Sequence, residues 1–497
     1  MRALGLWGVR SGEMMVRRRL GVGECLFVVI PGIGGSVLER AGVAVWEGTR
    51  RLGERLWEPE ALELGVGDGI RAVGAVEGFR VLPGLVALGG YPKLVGVLEG
   101  LDPSARTDAG HPDQPDLGAR IVVFPYDFRR SIAEASTLLD RCVRRRVEHL
   151  GGSVEAGRKR VIVIAHSMGG LVARHWIATC PDAAGLTRLL VTLGTPHRGA
   201  PKALDVVVNG LRLGPLRLPQ RHADIVRGWP GLYELLPRYR AVSNGDGGAY
   251  PKDVLIGPAA EAASEAFAVH TRIEQAWTRL GTDAPVVLPV FGVGEATCQH
   301  AVLGPAGAFT ASTQPAAWLG IAGLAGDGTV PAVSAVPIEM DNDNDRDRLL
   351  HRPQPGAKHA WLVAWAGLAG ALRHLLAGST GHVRGPAPGV ISLDLDDAWP
   401  AGTSMPVGAR VHAPLEPQDV DLVPAEDVMG VQFRVVRAGV PSGGWVDAEC
   451  QDGWWRTQLP AGAPGRVTIQ ARAATGAGDD PEPRSEPVEI ADPEDLG

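Results

Sequence analysis

Short uninterrupted apolar runs recur from residue 25 to about 380: Leu26–Ile30, Ile121–Phe124, Val161–Ile164, Leu189–Leu193 and Val286–Gly292. A strand with one wet face alternates polar and apolar residues; these runs do not. They predict a parallel sheet covered by helices on both faces. Helices are expected over Leu138–Leu150 and Leu171–Ala178, and an apolar helix over 360–377. The segment from about 200 to 280 breaks the rhythm with helix fragments, prolines and the glycine-rich Asn244–Gly248, as a lid inserted above the sheet would. Residues 40–90, rich in glycine, form a second excursion between strands.

From residue 389 the pattern changes. Val390–Leu395, Val431–Val436, Trp445–Ala448, Trp454–Leu459 and Val467–Ala473 are short runs separated by Pro, Gly and Asp turns, and Val488–Ile490 follows as a last strand. This spacing predicts a small all-β, Ig-like sandwich. The expected organisation is a leader over 1–24, an α/β domain over 25–381, a linker over 382–388 and the sandwich over 389–497.

Composition narrows the class. The chain has 497 residues, more than one domain by ordinary size, with 45% hydrophobic and 21% charged residues. A net charge of −7 and the lack of a recurring Lys/Arg stripe argue against nucleic acid as a partner. The five cysteines are scattered, odd in number and without metal-ligand spacing, which predicts buried, unpaired thiols in a reducing compartment. Arg17–Arg19 and the apolar stretch after it mimic a secretory signal. That stretch runs into Pro31–Gly35, and cleavage would remove the first core strand, so the expected location is cytoplasmic. No run reaches the roughly 20 apolar residues of a membrane-spanning helix.

The chemistry centres on Ala165-His166-Ser167-Met168-Gly169-Gly170, directly after the run Val161–Ile164 and directly before a helix. A serine at a sharp strand-to-helix turn, flanked by small residues, is the nucleophile elbow of α/β-hydrolases, here with Ala165 in place of the first glycine. In that fold the acid and then the histidine follow the serine in the chain. Asp327, in Gly326-Asp327-Gly328-Thr329, is the acid candidate, and His359, in Gly356-Ala357-Lys358-His359, is the base candidate. The oxyanion of acyl transfer needs two backbone donors. Met168, next after the serine, supplies one; Ile33, in the glycine-rich Pro31–Gly35, is the choice for the other.

With these pieces in place, the chain resembles the lecithin:cholesterol acyltransferase-like family, in its bacterial branch. The resemblance rests on Val29–Leu38, Pro125–Arg129, the elbow, Thr192–Gly199, Trp229–Pro237, Phe291–Gly294 and Gly326–Pro331, and it spans residues 26 to about 376 in order. It implies an α/β-hydrolase with Ser167 as nucleophile, Asp327 and His359 as its partners, and Ile33 and Met168 as oxyanion amides. It also implies transfer of fatty acyl groups from lipid esters to an alcohol or to water, with transient contact at a membrane surface. No cofactor and no metal is implied. Residues 40–90 contain no cysteine, so the lid disulfide of animal members is absent, and Phe128 stands where the family has tryptophan.

Other readings compete at each position. Ser167 could be a plain turn residue and Asp327 an Asp-Gly turn; His351, His374 and His382 are rivals of His359. His197 precedes the acid in the chain and is expected to shape a loop near the pocket and to touch substrate. His166 is expected to pack or hydrogen-bond, and Asp127 and Arg129 to form a structural ion pair. Asp341–Asp347 hints at a calcium loop, but Arg346 and Arg352 hold the places where an EF-hand needs glycine and glutamate. Trp445, Trp454 and Trp455 read as core packing and a strand-face patch. The sequence reading is therefore a serine O-acyltransferase or lipase. A carboxylesterase or phospholipase using water is the alternative. An inactive hydrolase-fold adaptor, whose β-domain binds a partner, is the rival of another class.

Overall fold

The computed structural model of the chain describes residues 22–47, 59–151, 159–243, 247–304, 308–319, 326–340, 352–377, 389–414, 423–476, 480–492 and 494. Most of the expected leader, the linker 382–388, the acidic stretch 341–347, His351 and His382 lie outside the described residues.

Seven parallel strands form the central sheet: β1 (Leu26–Ile30), β2 (Thr107–Asp108), β3 (Ile121–Val123), β4 (Val161–His166), β5 (Thr187–Leu193), β6 (Val286–Val293) and β7 (Arg352–Pro355). Their order across the sheet is β7-β6-β5-β4-β1-β3-β2. Every residue of β1 and β4 is buried, as both-face coverage requires. The register pairs Ile30 with Ala165 and Leu193 with His166, so the C-terminal ends of β1, β4 and β5 finish side by side. In open α/β sheets that edge is where ligands are handled.

Helix α1 (Ile132–Gly151) packs on α2 (Met168–Thr179), and α2 on α3 (Pro258–Leu280). On α3, Trp277 donates its indole N–H to the Arg174 carbonyl at 3.1 Å, with the Arg174 guanidinium over its ring. The expected lid segment therefore divides. Pro201–Asn209, Gln220–Arg227 and short strands form the insertion, while 258–280 belongs to the helical layer. The single helix expected over 360–377 is two pieces: a 3-10 turn at His359–Ala364 and helix α4 (Leu368–Leu376). At Trp365, with φ −55° and ψ 115°, the backbone leaves the helical region and separates them.

The described residues between 390 and 491 form the expected β-sandwich. One sheet contains Val390–Asp394, Ser404–His412, Trp454–Pro460 and Glu449–Gln451; the other is built on Arg484–Ala491, Gly465–Thr475 and Val428–Arg437. Met405, Val407, Ala409 and Val411 point inward from a strand absent from the sequence expectation. Trp445 is half-buried between the guanidinium groups of Arg434 and Arg472, each 4.3 Å from its ring, and Trp454 lies beside Arg410 and Arg456. Trp455 packs against the sandwich core. No disulfide joins any of the five cysteines; only Cys25 and Cys298 are buried as expected, while Cys142 and Cys180 are half-buried and Cys450 is exposed. Among the described residues no helix is long and apolar enough to cross a membrane.

Buried titratable groups set an expected pH dependence of stability. Burial pushes His175, His270 and His412 down to about 4, so they are neutral in the folded protein. His166 and His197 move in the same direction for the same reason. The unfolded chain takes up these protons below about pH 6.5, so stability falls as pH drops through that range. Burial raises Glu234 and Glu295 to about 8. The folded protein then holds more protons than the unfolded chain between about pH 4.5 and 8, and stability falls as pH rises through that window. Five histidines outweigh two carboxyls on the acid side. The melting temperature measured from pH 4 to 9 should peak near pH 6.5 and decline more steeply toward acid.

Candidate active site

Ser167 sits at the junction of β4 and α2 with φ 53° and ψ −129°, a conformation rare for any residue but glycine. Such strain persists only where the surroundings over-determine it. Two close approaches do so here. A Cβ on Gly169 would lie 2.4 Å from the Pro31 carbonyl oxygen, and one on Gly32 would lie 2.6 Å from Ser167 Cβ. The turn after β1 and the turn after β4 are thus pressed together with no room for side chains.

Asp327 and His359 meet as the sequence predicts. His359 Nδ1 lies 2.7 Å from Asp327 Oδ2, and the His359 amide donates to the Asp327 carbonyl at 2.8 Å. The other carboxylate oxygen accepts the amides of Thr329 and Val330 at 3.0 and 2.6 Å. With both oxygens occupied by donors, the carboxylate is fixed and holds the proton on Nδ1. The lone pair of His359 is then on Nε2, which is buried and without a hydrogen-bond partner. His374 lies on α4, outside this arrangement.

The imidazole stands beside the elbow, its ring centroid 4.8 Å from that of His166, the residue before the serine. No hydrogen bond joins His359 Nε2 to the Ser167 hydroxyl in this conformation. His166 is the expected hydrogen-bonding residue, and its tautomer follows from its partners. Its Nε2 lies 3.2 Å from the His359 carbonyl oxygen, which can only accept, so Nε2 carries the proton. Burial, with His359 beside it, holds His166 well below the usual histidine pKa and therefore neutral. Nδ1 is then an acceptor, and the Tyr91 hydroxyl, 3.0 Å away, donates to it. The same hydroxyl accepts the Gly32 amide at 2.9 Å.

That relay bears on the oxyanion donors. With Gly32 N–H committed to Tyr91, the next amide of the turn is that of Ile33. Among the described residues, neither the Ile33 nor the Met168 amide donates to any protein group. Both residues are buried beside the elbow.

A cavity of about 320 Å³ reaches Asp327 and His359. Its walls include the hairpin Val81–Ala87, the insertion through Lys202, Asp205 and Arg212, and the sandwich through Leu393–Ala398. Ser167 is 3% exposed and is not among the residues that line this cavity.

Other sequence expectations resolve as follows. Arg129 is fully buried and paired with Asp127 at 2.7 Å, with Asp68 as a further partner at 2.9 Å. His197 is buried against Thr192 at 3.2 Å and is not among the residues that line this cavity. Among the described residues no group of acidic, histidine or cysteine side chains could hold a metal ion. The sequence reading missed Tyr91, which has no motif around it, and Lys358, whose partners lie in the other part of the chain.

The chain is similar to three solved structures and, over part of its length, to one protein family. Over 84% of its length the chain aligns with 91% of phospholipase PlaB from Legionella pneumophila, at 10% identity and a TM-score of 0.26. The lipase BlEst2 of Bacillus licheniformis, in its propeptide form, matches at 12% identity and a TM-score of 0.27, covering 74% of this chain and 85% of that one. The fibronectin(III)-like modules of Clostridium thermocellum CbhA match at 11% identity and a TM-score of 0.16; that alignment takes in 22% of this chain and about half, 49%, of theirs. Residues 128–212, which contain the elbow and all of α2, match the family model of the PGAP1-like alpha/beta domain, and over that stretch the chain is similar to this α/β-hydrolase-type family.

Proposed function

We propose that the protein is a serine acyltransferase or ester hydrolase acting on acyl esters of lipids, with chemistry like that of the lecithin:cholesterol acyltransferase-like family it resembles. The observation that carries this reading is the Asp327–His359 pair beside a strained elbow serine. The orienting carboxylate, the imidazole with a free lone pair on Nε2 and the strained serine turn are the parts that acyl transfer through serine needs.

In this reading His359 Nε2 takes the Ser167 proton as Oγ forms a bond to the acyl carbon. The oxyanion is held by the amides of Ile33 and Met168, each such donor contributing about 3 kcal/mol to the transition state. The C–O bond to the leaving alcohol then breaks, and His359 returns the proton to that oxygen. Water or a second alcohol attacks the acyl-enzyme with His359 again taking the proton, and Ser167 is released protonated. Asp327 keeps the imidazole in its productive tautomer throughout. Ser167 is almost fully buried, so admission of substrate requires a neighbouring segment to shift.

Incubation with a mixed lipid extract, with and without an added long-chain alcohol, tests the reading by product analysis. Free fatty acid should appear in water alone, and part of it should be diverted to new ester when the alcohol is present. Lipid esters left intact under both conditions would overturn the proposal, and hydrolysis with no diversion would leave a lipase and remove the transferase.

A further inference from the structure

The turn that carries His359 is held by the β-sandwich on both sides of the histidine. Before it, Lys358 is buried; its ammonium donates to the Leu395 carbonyl at 3.2 Å and lies 3.5 Å from the Asp397 carboxylate. After it, the Trp361 indole N–H donates to Glu486 at 2.7 Å, and Glu486 is itself paired with Arg484. Burial works against the charge on Lys358, yet the carboxylates of Asp397, Glu486 and Glu295 hold it above the usual lysine value. On the other side of the seam Glu295, fully buried after β6, accepts the Leu393 amide at 3.1 Å. The Glu295 amide in turn donates to the carbonyl of Gly326, the residue before Asp327. His359 is therefore one residue from a contact with the sandwich, and Asp327 is linked to it through Gly326 and Glu295.

The same loop of the sandwich, Leu393–Ala398, forms one wall of the cavity that reaches His359. Trp399 closes the seam further out, its ring against Gly214 of the insertion, where a Cβ would come within 2.5 Å. A module that merely recruited a partner would need none of this. A buried ion pair is a poor way to gain stability, because desolvation offsets its attraction, but it fixes geometry well.

We propose that the β-sandwich completes the catalytic site, with Lys358 and Asp397 as positioning residues that set the placement of His359. The inference rests on the assignment of Ser167 and His359 above. A small displacement of a base from its nucleophile lowers the rate about 100-fold while leaving substrate binding largely untouched.

The test uses the full chain with the substitutions Lys358→Met, Lys358→Arg and Asp397→Asn, and a fluorophosphonate probe beside an ester assay. The end-point of labelling counts folded sites; the labelling rate and kcat read the placement of His359. Lys358→Met should reach the wild-type end-point with labelling rate and kcat down about 100-fold and KM nearly unchanged. Lys358→Arg should restore most of the rate, because its guanidinium can reach both the carboxylate and the carbonyl. Asp397→Asn, whose side chain is partly exposed, should lose about 10-fold in kcat; it decides the matter alone if Lys358→Met fails to fold. Wild-type rates in both Lys358→Met and Asp397→Asn, with the parent enzyme active, would overturn the inference and leave the triad standing. A parent protein that neither labels nor turns over ester would instead remove the underlying assignment.

Discussion

Ser167→Ala should lower kcat on an acyl ester by about a million-fold, to the residual rate that binding and oxyanion donors give without a nucleophile. The fold should be unaffected. Alanine retains the Cβ that packs against Gly32, and the lost hydroxyl makes no hydrogen bond to His359 in this conformation. A companion variant separates chemistry from strain. At φ 53° and ψ −129° any side chain is held against its preference, so Ser167→Gly should be as inactive as Ser167→Ala but more stable than it by about 1 kcal/mol. Kinetics on a chromogenic ester and urea melts of the two variants check both statements. Retained turnover in Ser167→Ala would end the serine mechanism, and a Gly variant less stable than the Ala variant would show that the backbone there is unstrained.

Asp327→Asn should lower kcat by about 10,000-fold with little change in shape. Asparagine is isosteric, and its oxygen can still accept the Thr329 and Val330 amides. Its NH2 then faces His359 Nδ1 and donates where the carboxylate accepted. The imidazole must place its proton on Nε2, the atom that has to receive the serine proton. The wrong tautomer, rather than a lost contact, is the cause. A pH-rate profile alongside the melting curve checks it. Near-normal kcat at pH 7 would show that Asp327 is the structural turn residue that its Asp-Gly setting also allows.

How far the sequence discloses this site depends on how local each part is. Val161–Ile164 and Leu26–Ile30 are continuous apolar runs because their strands are covered on both faces, and the elbow follows within the same ten residues. Asp327 and His359 are each marked by their neighbours, glycines around the first and the loop before an apolar turn at the second. The chain order serine, acid, histidine then joins them. The sandwich strand Ser404–His412 is hidden by Pro406 and Gly408, which weaken the strand signal although every second residue from Met405 to Val411 is buried. The break in the helix over 360–377 is hidden because the apolar spacing continues through Trp365. Hardest to read are the seam contacts. Lys358 and Asp397 are polar residues in loops with no periodicity, and Tyr91 reaches His166 across 75 positions of sequence. Only the folded sheet edge brings them together.

That difference explains why the candidate site could be read residue by residue while the contacts made by the second part of the chain could not. From sequence, the sandwich is a module attached by a linker. In the structure it grips the residues flanking His359 and walls the cavity that leads there. Any shift of the sandwich on the α/β domain therefore acts directly on the turn that carries His359.

The most direct test is peptide mapping of the protein after reaction with a fluorophosphonate or after acid quenching during turnover of a fatty acyl ester. The account predicts one adduct per chain, on the Ser167 hydroxyl of the peptide that joins β4 to α2, and none in Ser167→Ala. An adduct on another residue, or ester turnover with Ser167 never modified, would contradict it.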